Sequence, residues 1–85
     1  MKSVQYTITD SFGIHARPAG VLAKTAAEFK SDIVVATATK EVDARRVMGI
    51  MSLGVKKGDV IKVIASGADE AAAIAKLTQF LKENL

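Results

Sequence analysis

Val4, Tyr6 and Ile8 alternate with Ser3, Gln5 and Thr7, a period of two that turns one face of a strand inward and leaves the other to solvent. Past the "DSFG" turn the period changes. In "ARPAGVLAKTAAEF", Val21, Leu22, Thr25 and Phe29 recur at helical spacing, which predicts an amphipathic helix over 16–29 with Pro18 in its first turn. "DIVVATAT" is rich in β-branched residues and predicts a second strand. "KEVDA" returns as a third through a turn near Thr39 and Lys40, without a strong turn dipeptide to fix the register. "RRVMGIMSLG" is too short for a stable isolated helix, yet Val47, Ile50, Met51 and Leu53 allow a short helical segment that docks through its apolar residues and ends at Gly54. "GDVIKVIAS" is the clearest strand. "GADEAAAIAKLTQFLKENL" then predicts a long alanine-rich helix with Asp69 as N-cap and Ile74, Leu77 and Leu81 on one face.

The order is strand, helix, strand, strand, short helix, strand, helix (βαββαβα). The second and third strands have no helix between them, which excludes a purely parallel sheet. The fold class expected is therefore α+β: an open-faced β-sandwich, a four-stranded antiparallel sheet with three helices on one face. The 85 residues, 49% hydrophobic and 25% charged, suit one domain spanning 1–85. There is no cysteine, so neither a disulfide scaffold nor a thiolate metal site is available. The first residues lack the apolar block of a signal peptide and no stretch reaches membrane-span length, so a cytoplasmic protein without direct membrane insertion is expected. A net charge of +3 permits an acidic partner without naming one.

"GIHARP", residues 13–18, sets the one histidine between a glycine turn and a helix start. If the helix begins at Ala16 or Arg17, His15 lies beside unpaired amide hydrogens and the positive end of the helix dipole, and both favour a neutral imidazole. Such a ring keeps a lone pair and is a usable nucleophile, while the same helix terminus would hold a phosphate placed on it. Arg17 adds a guanidinium whose fork matches phosphate oxygens and neutralises charge during an in-line transfer. Spacing alone leaves a second reading open, in which His15 is a polar turn residue and Arg17 is merely solvated.

"GIHARPAG" together with "VMGIMSLG" resembles the histidine-containing phosphocarrier (HPr) family of the bacterial phosphoenolpyruvate-dependent sugar phosphotransferase system, and the length and element order fit as well. The resemblance implies that His15 is phosphorylated on Nδ1 by enzyme I and passes the phosphoryl group to the A components of sugar permeases. It implies that Arg17 assists, with Ala16 and Arg17 holding the phosphate. No bound cofactor is implied, because the phosphoryl group originates on phosphoenolpyruvate bound to enzyme I. A monomer is expected.

Val47, Met48 and Met51 offer more apolar surface than a short helix easily buries, and methionine adapts to different partners. Core is the alternative for these three and the expected place of Ile50 and Leu53. The resemblance makes Val47, Met48 and Met51 a docking patch beside the histidine, with Gly20, Lys24, Arg45 and Arg46 completing the set. Arg17, Lys24, Arg45 and Arg46 then form a basic rim that steers acidic partners, or else a solvated edge. At the start of a short helix Arg45 and Arg46 oppose its dipole by about 0.3–1 kcal/mol each. Arg46 also departs from many Gram-positive relatives, which carry there a serine that an ATP-dependent kinase phosphorylates. That regulation is not transferred to Arg46, nor to Ser52. A carrier of the nitrogen-related phosphotransferase branch shares the histidine motif without needing the serine, and stays open.

Gly49 and Gly54 mimic half of a P-loop, but Val55 stands where its lysine should be, so no nucleotide site is expected. A protein- or RNA-binding module without chemistry would use the basic charge. One tyrosine, three phenylalanines and no tryptophan give a poor stacking platform, however, and no nucleic-acid partner is expected. One histidine and no cysteine leave no metal cluster, and no serine has a recognisable base. The expected role is that of a phosphohistidine intermediate in a relay rather than a stand-alone enzyme.

Overall fold

Ile61, Val63 and Ala65 are buried while Val60 and Lys62 are exposed, so the strand Val60–Ser66 keeps the period of two on which the sheet is built. The computed structural model describes residues 1–85. Its elements are β1 (Lys2–Thr7), α1 (Ala16–Ala26), β2 (Asp32–Ala36), β3 (Glu41–Asp43), α2 (Val47–Ser52), β4 (Val60–Ser66) and α3 (Glu70–Asn84). The sheet runs β1-β4-β2-β3 with every neighbouring pair antiparallel. Across it, Val4 and Val35 both stand opposite Val63, and Ile33 stands opposite Ala65, so these side chains share the inner face.

The three helices cover that face. Ala19, Leu22, Ala23 and Ala26 of α1, Ile50 of α2, and Ala73, Leu77, Phe80 and Leu81 of α3 join the strand residues in one core. A fully buried Leu or Ile contributes roughly 1.5–3 kcal/mol relative to exposure. The opposite face, with Ser3, Gln5 and Lys62, is open, and the fold is the α+β open-faced sandwich expected. No helix is long and apolar enough to cross a membrane.

Four expectations need correction. The first helix stops at Ala26, short of Phe29. Glu28 and Phe29 bond to carbonyls only three residues back, and the next amides, of Lys30 and Ser31, donate to the Asp69 carboxylate instead (2.8 and 2.9 Å). Val21 does not join the apolar stripe. The stripe runs 19, 22, 23, 26, which leaves Val21 rotated away and 46% exposed. Asp69 does occupy the N-cap of α3, but its side chain makes no bond to that helix. Its carboxylate accepts from Lys30 N, Ser31 N and the Ser31 hydroxyl, and so ties the exit of α1 to the entry of α3. These bonds, the Ser31 hydroxyl foremost, hold the Asp69 carboxyl below its ordinary value.

The β2–β3 hairpin is shorter than expected because Thr37 closes the turn: its amide donates to Lys40 O (2.7 Å) and its hydroxyl accepts from Lys40 N (3.2 Å). The register sets Val35 opposite Val42. The short helix α2 ends as expected at Gly54, whose φ of +63° turns the chain.

Candidate functional site

His15 is the N-cap of α1, extended at φ −101° and ψ −175°, and its carbonyl accepts the first helical bond from Ala19 N (3.0 Å). Ile14 before it and Ala19 after it are both buried, at the positions of a hydrophobic staple, so the backbone carrying the imidazole is fixed from both sides. Ile14 N donates to Val55 O (3.3 Å), which links this loop to the segment after α2. Although it holds the cap position, His15 does not cap. Its ring makes no hydrogen bond to the protein and stands exposed. Pro18 has no amide hydrogen, and those of Ala16 and Arg17 find no acceptor in the chain.

Those two amides and the dipole of α1 favour an anion at the imidazole. A shallow depression lies there, lined by Asp10, His15, Arg17, Pro18, Val21 and Asn84. The Arg17 side chain forms no ion pair, so its guanidinium is available to an anion. Asp10 shapes the rim: its Oδ1 accepts from Phe12 N (2.8 Å) and its carbonyl from Gly13 N (3.0 Å). An exposed imidazole and an unpaired guanidinium at one open depression, beside two free amides at the start of α1, suit acceptance and release of a phosphoryl group.

The family model for the PTS HPr component phosphorylation site matches residues 2–83. The chain belongs to the HPr family, the phosphocarrier proteins of the phosphotransferase system. Among solved structures, an HPr from Thermoanaerobacter tengcongensis is similar at 44% identity and a TM-score of 0.92, covering 98% of this chain and 93% of that one. A Mycoplasma histidine-containing phosphocarrier protein is similar at 35% identity and a TM-score of 0.94, covering 96% and 93%. The catabolite repression protein Crh of Bacillus subtilis, a swapped dimer, matches at 35% identity and a TM-score of 0.78, covering 94% and 92%.

The second HPr motif stands beside the first, because α2 packs on α1. Met48 is 76% exposed and Met51 37%, Val47 is half-buried, and Ile50 points into the core. Arg17, Gly20 and Lys24 follow one another at helical spacing on α1. Lys24 and Arg46 are exposed and form no ion pair. Arg45 differs: its guanidinium donates to Ser31 O (2.8 Å) and lies 3.8 Å from Asp32, bracing the start of α2 against β2.

The sequence reading missed four residues at this site. Asp10, Val21 and Asn84 line the depression, and Phe12 meets the His15 ring edge-on. Phe12 left a signal, a large apolar residue inside the polar "TDSFG" turn. Asn84 left none, since no spacing relates it to His15.

Proposed function

We propose that the chain accepts a phosphoryl group on His15 Nδ1 from phosphorylated enzyme I and passes it to the A components of sugar permeases. The imidazole lone pair forms the new N–P bond while the bond to the donor breaks, its electron pair leaving with the donor. The three equatorial oxygens carry the spreading charge. Arg17 and the free amides of Ala16 and Arg17 neutralise that charge in the transition state and then hold the phosphate of the product. Transfer onward is the same sequence reversed. The observation that carries this reading is the unengaged imidazole of His15 at the N-terminus of α1, beside an Arg17 without an ion pair.

Val47, Met48 and Met51 supply the apolar docking patch, Gly20 allows close approach, and Lys24 and Arg46 steer acidic partners, with Arg45 bracing the patch from within. All come from one chain, so a monomer suffices. Intact-mass spectrometry after incubation with enzyme I and phosphoenolpyruvate tests the reading. One acid-labile phosphate, absent in His15→Ala and discharged by a sugar-specific A component, is expected. Discharge only by a component of the nitrogen-related branch would reassign the acceptor. No adduct, with an enzyme I preparation that charges a known carrier, would overturn the proposal.

A further inference from the structure

Phe12 and His15 form the one aromatic pair in the molecule, with ring centroids 5.8 Å apart and planes at 75°. This is the edge-to-face arrangement that the aromatic quadrupole favours. The imidazole has no hydrogen bond to the protein, and the last torsion of a histidine side chain is intrinsically broad. No ion pair holds the ring either. Phe12 is itself 79% exposed, so core burial does not explain where it stands. Its backbone is nevertheless fixed. Phe12 N donates to Asp10 Oδ1 (2.8 Å), Gly13 N to Asp10 O (3.0 Å), and Ile14 N to Val55 O (3.3 Å). An anchored loop thus holds an exposed aromatic ring against the reactive imidazole.

We propose that Phe12 is a positioning residue for His15, restricting the orientations of the imidazole so that its lone pair is presented to an incoming phosphoryl group. The proposal rests on the carrier reading for its consequence, and on the ring pair for its existence. In-line transfer requires the attacking nitrogen aligned with the bond that breaks, and each unproductive orientation lowers the rate in proportion to its population. Edge-to-face pairs bias such populations by about two- to tenfold.

The test has two arms. In the unphosphorylated protein, without any partner, NMR side-chain couplings of His15 should move toward rotamer averaging in Phe12→Ala and return in Phe12→Tyr. With enzyme I and the carrier as varied substrate, Phe12→Ala should lower turnover about two- to tenfold at unchanged KM and unchanged thermal midpoint, and Phe12→Tyr should restore it. Unchanged His15 couplings in Phe12→Ala would overturn the proposal. So would a loss carried by KM alone, which would make Phe12 a contact for the partner, or a loss that Phe12→Tyr does not repair. If the wild-type protein takes no phosphate the carrier reading fails, and the coupling arm alone decides whether Phe12 orients the ring.

Discussion

A Cβ placed on Gly13 would stand 2.2 Å from the carbonyl oxygen of Val55, and Gly13 holds a φ of +65°. The loop that carries His15 is therefore wedged against the segment following α2, in a conformation that an L side chain resists. Gly13→Ala should cost on the order of 1–3 kcal/mol from the backbone alone, and more from the displaced Val55. Since Ile14 and His15 follow directly, phosphorylation of His15 should slow by more than the unfolded fraction accounts for. Urea melts paired with transfer rates check this, and a rate loss matching the unfolded fraction would mean that the loop tolerates the shift.

Asp69 predicts an acid dependence with a definite sign. Its folded carboxyl titrates below the ordinary 3.8, chiefly because the Ser31 hydroxyl donates to the charged form. The associated stability is present above about pH 4 and is lost as pH falls through the folded value. Asp69→Asn removes the charge and keeps the shape. The gap in thermal midpoint between the two proteins should be widest near neutrality and close below pH 4. A gap that does not vary with pH would show that the carboxylate's charge contributes nothing.

That same carboxylate explains where the sequence stopped being legible. β1, β4 and α3 could be read because alternation or helical period runs unbroken through each and matches the face it buries. The end of α1 could not. Helical spacing continues to Phe29, but Asp69, almost forty positions away, takes the amides of Lys30 and Ser31 and turns the chain first. The site divides in the same way. His15, Arg17 and the Met48 patch lie in contiguous motifs with local chemistry. Asn84 reaches the depression only through the docking of α3, and the true register of the α1 stripe, which frees Val21 to line it, emerges only when the helix is packed.

Gly20 allows folding and the proposed docking to be tested apart. No atom lies within 4 Å of a Cβ placed there, so the fold does not require glycine in the middle of α1. Gly20→Ala should stabilise the protein by about 0.5–1 kcal/mol, the usual difference between these residues in a helix. On the surface shared with Arg17 and Lys24, however, the methyl group should hold a partner off. The expected result is a higher thermal midpoint with a raised KM for enzyme I. A stabilised variant with unchanged KM would remove Gly20 from the docking surface.

The patch and its rim should respond differently to salt. Met48 is mostly exposed, so Met48→Glu should leave stability within about 0.5 kcal/mol while a charge is forced into an apolar contact. A KM raised about tenfold, the scale of 1.4 kcal/mol, is expected at any ionic strength. Arg46 acts at longer range. Its side chain has no partner within the protein, so Arg46→Glu reverses a free charge at the N-cap of α2 without breaking a contact there. Its effect should appear as slower association at low salt and fade as the Debye length shrinks from roughly 10 Å at 0.1 M to about 3 Å at 1 M. Charge reversal should also ease the unfavourable meeting of Arg46 with the positive end of α2, so the variant should be no less stable than the parent. Stopped-flow association across a salt series distinguishes the two residues. If both variants lose affinity in parallel at every ionic strength, steering is not the role of Arg46, and it belongs with Met48 in the contact itself.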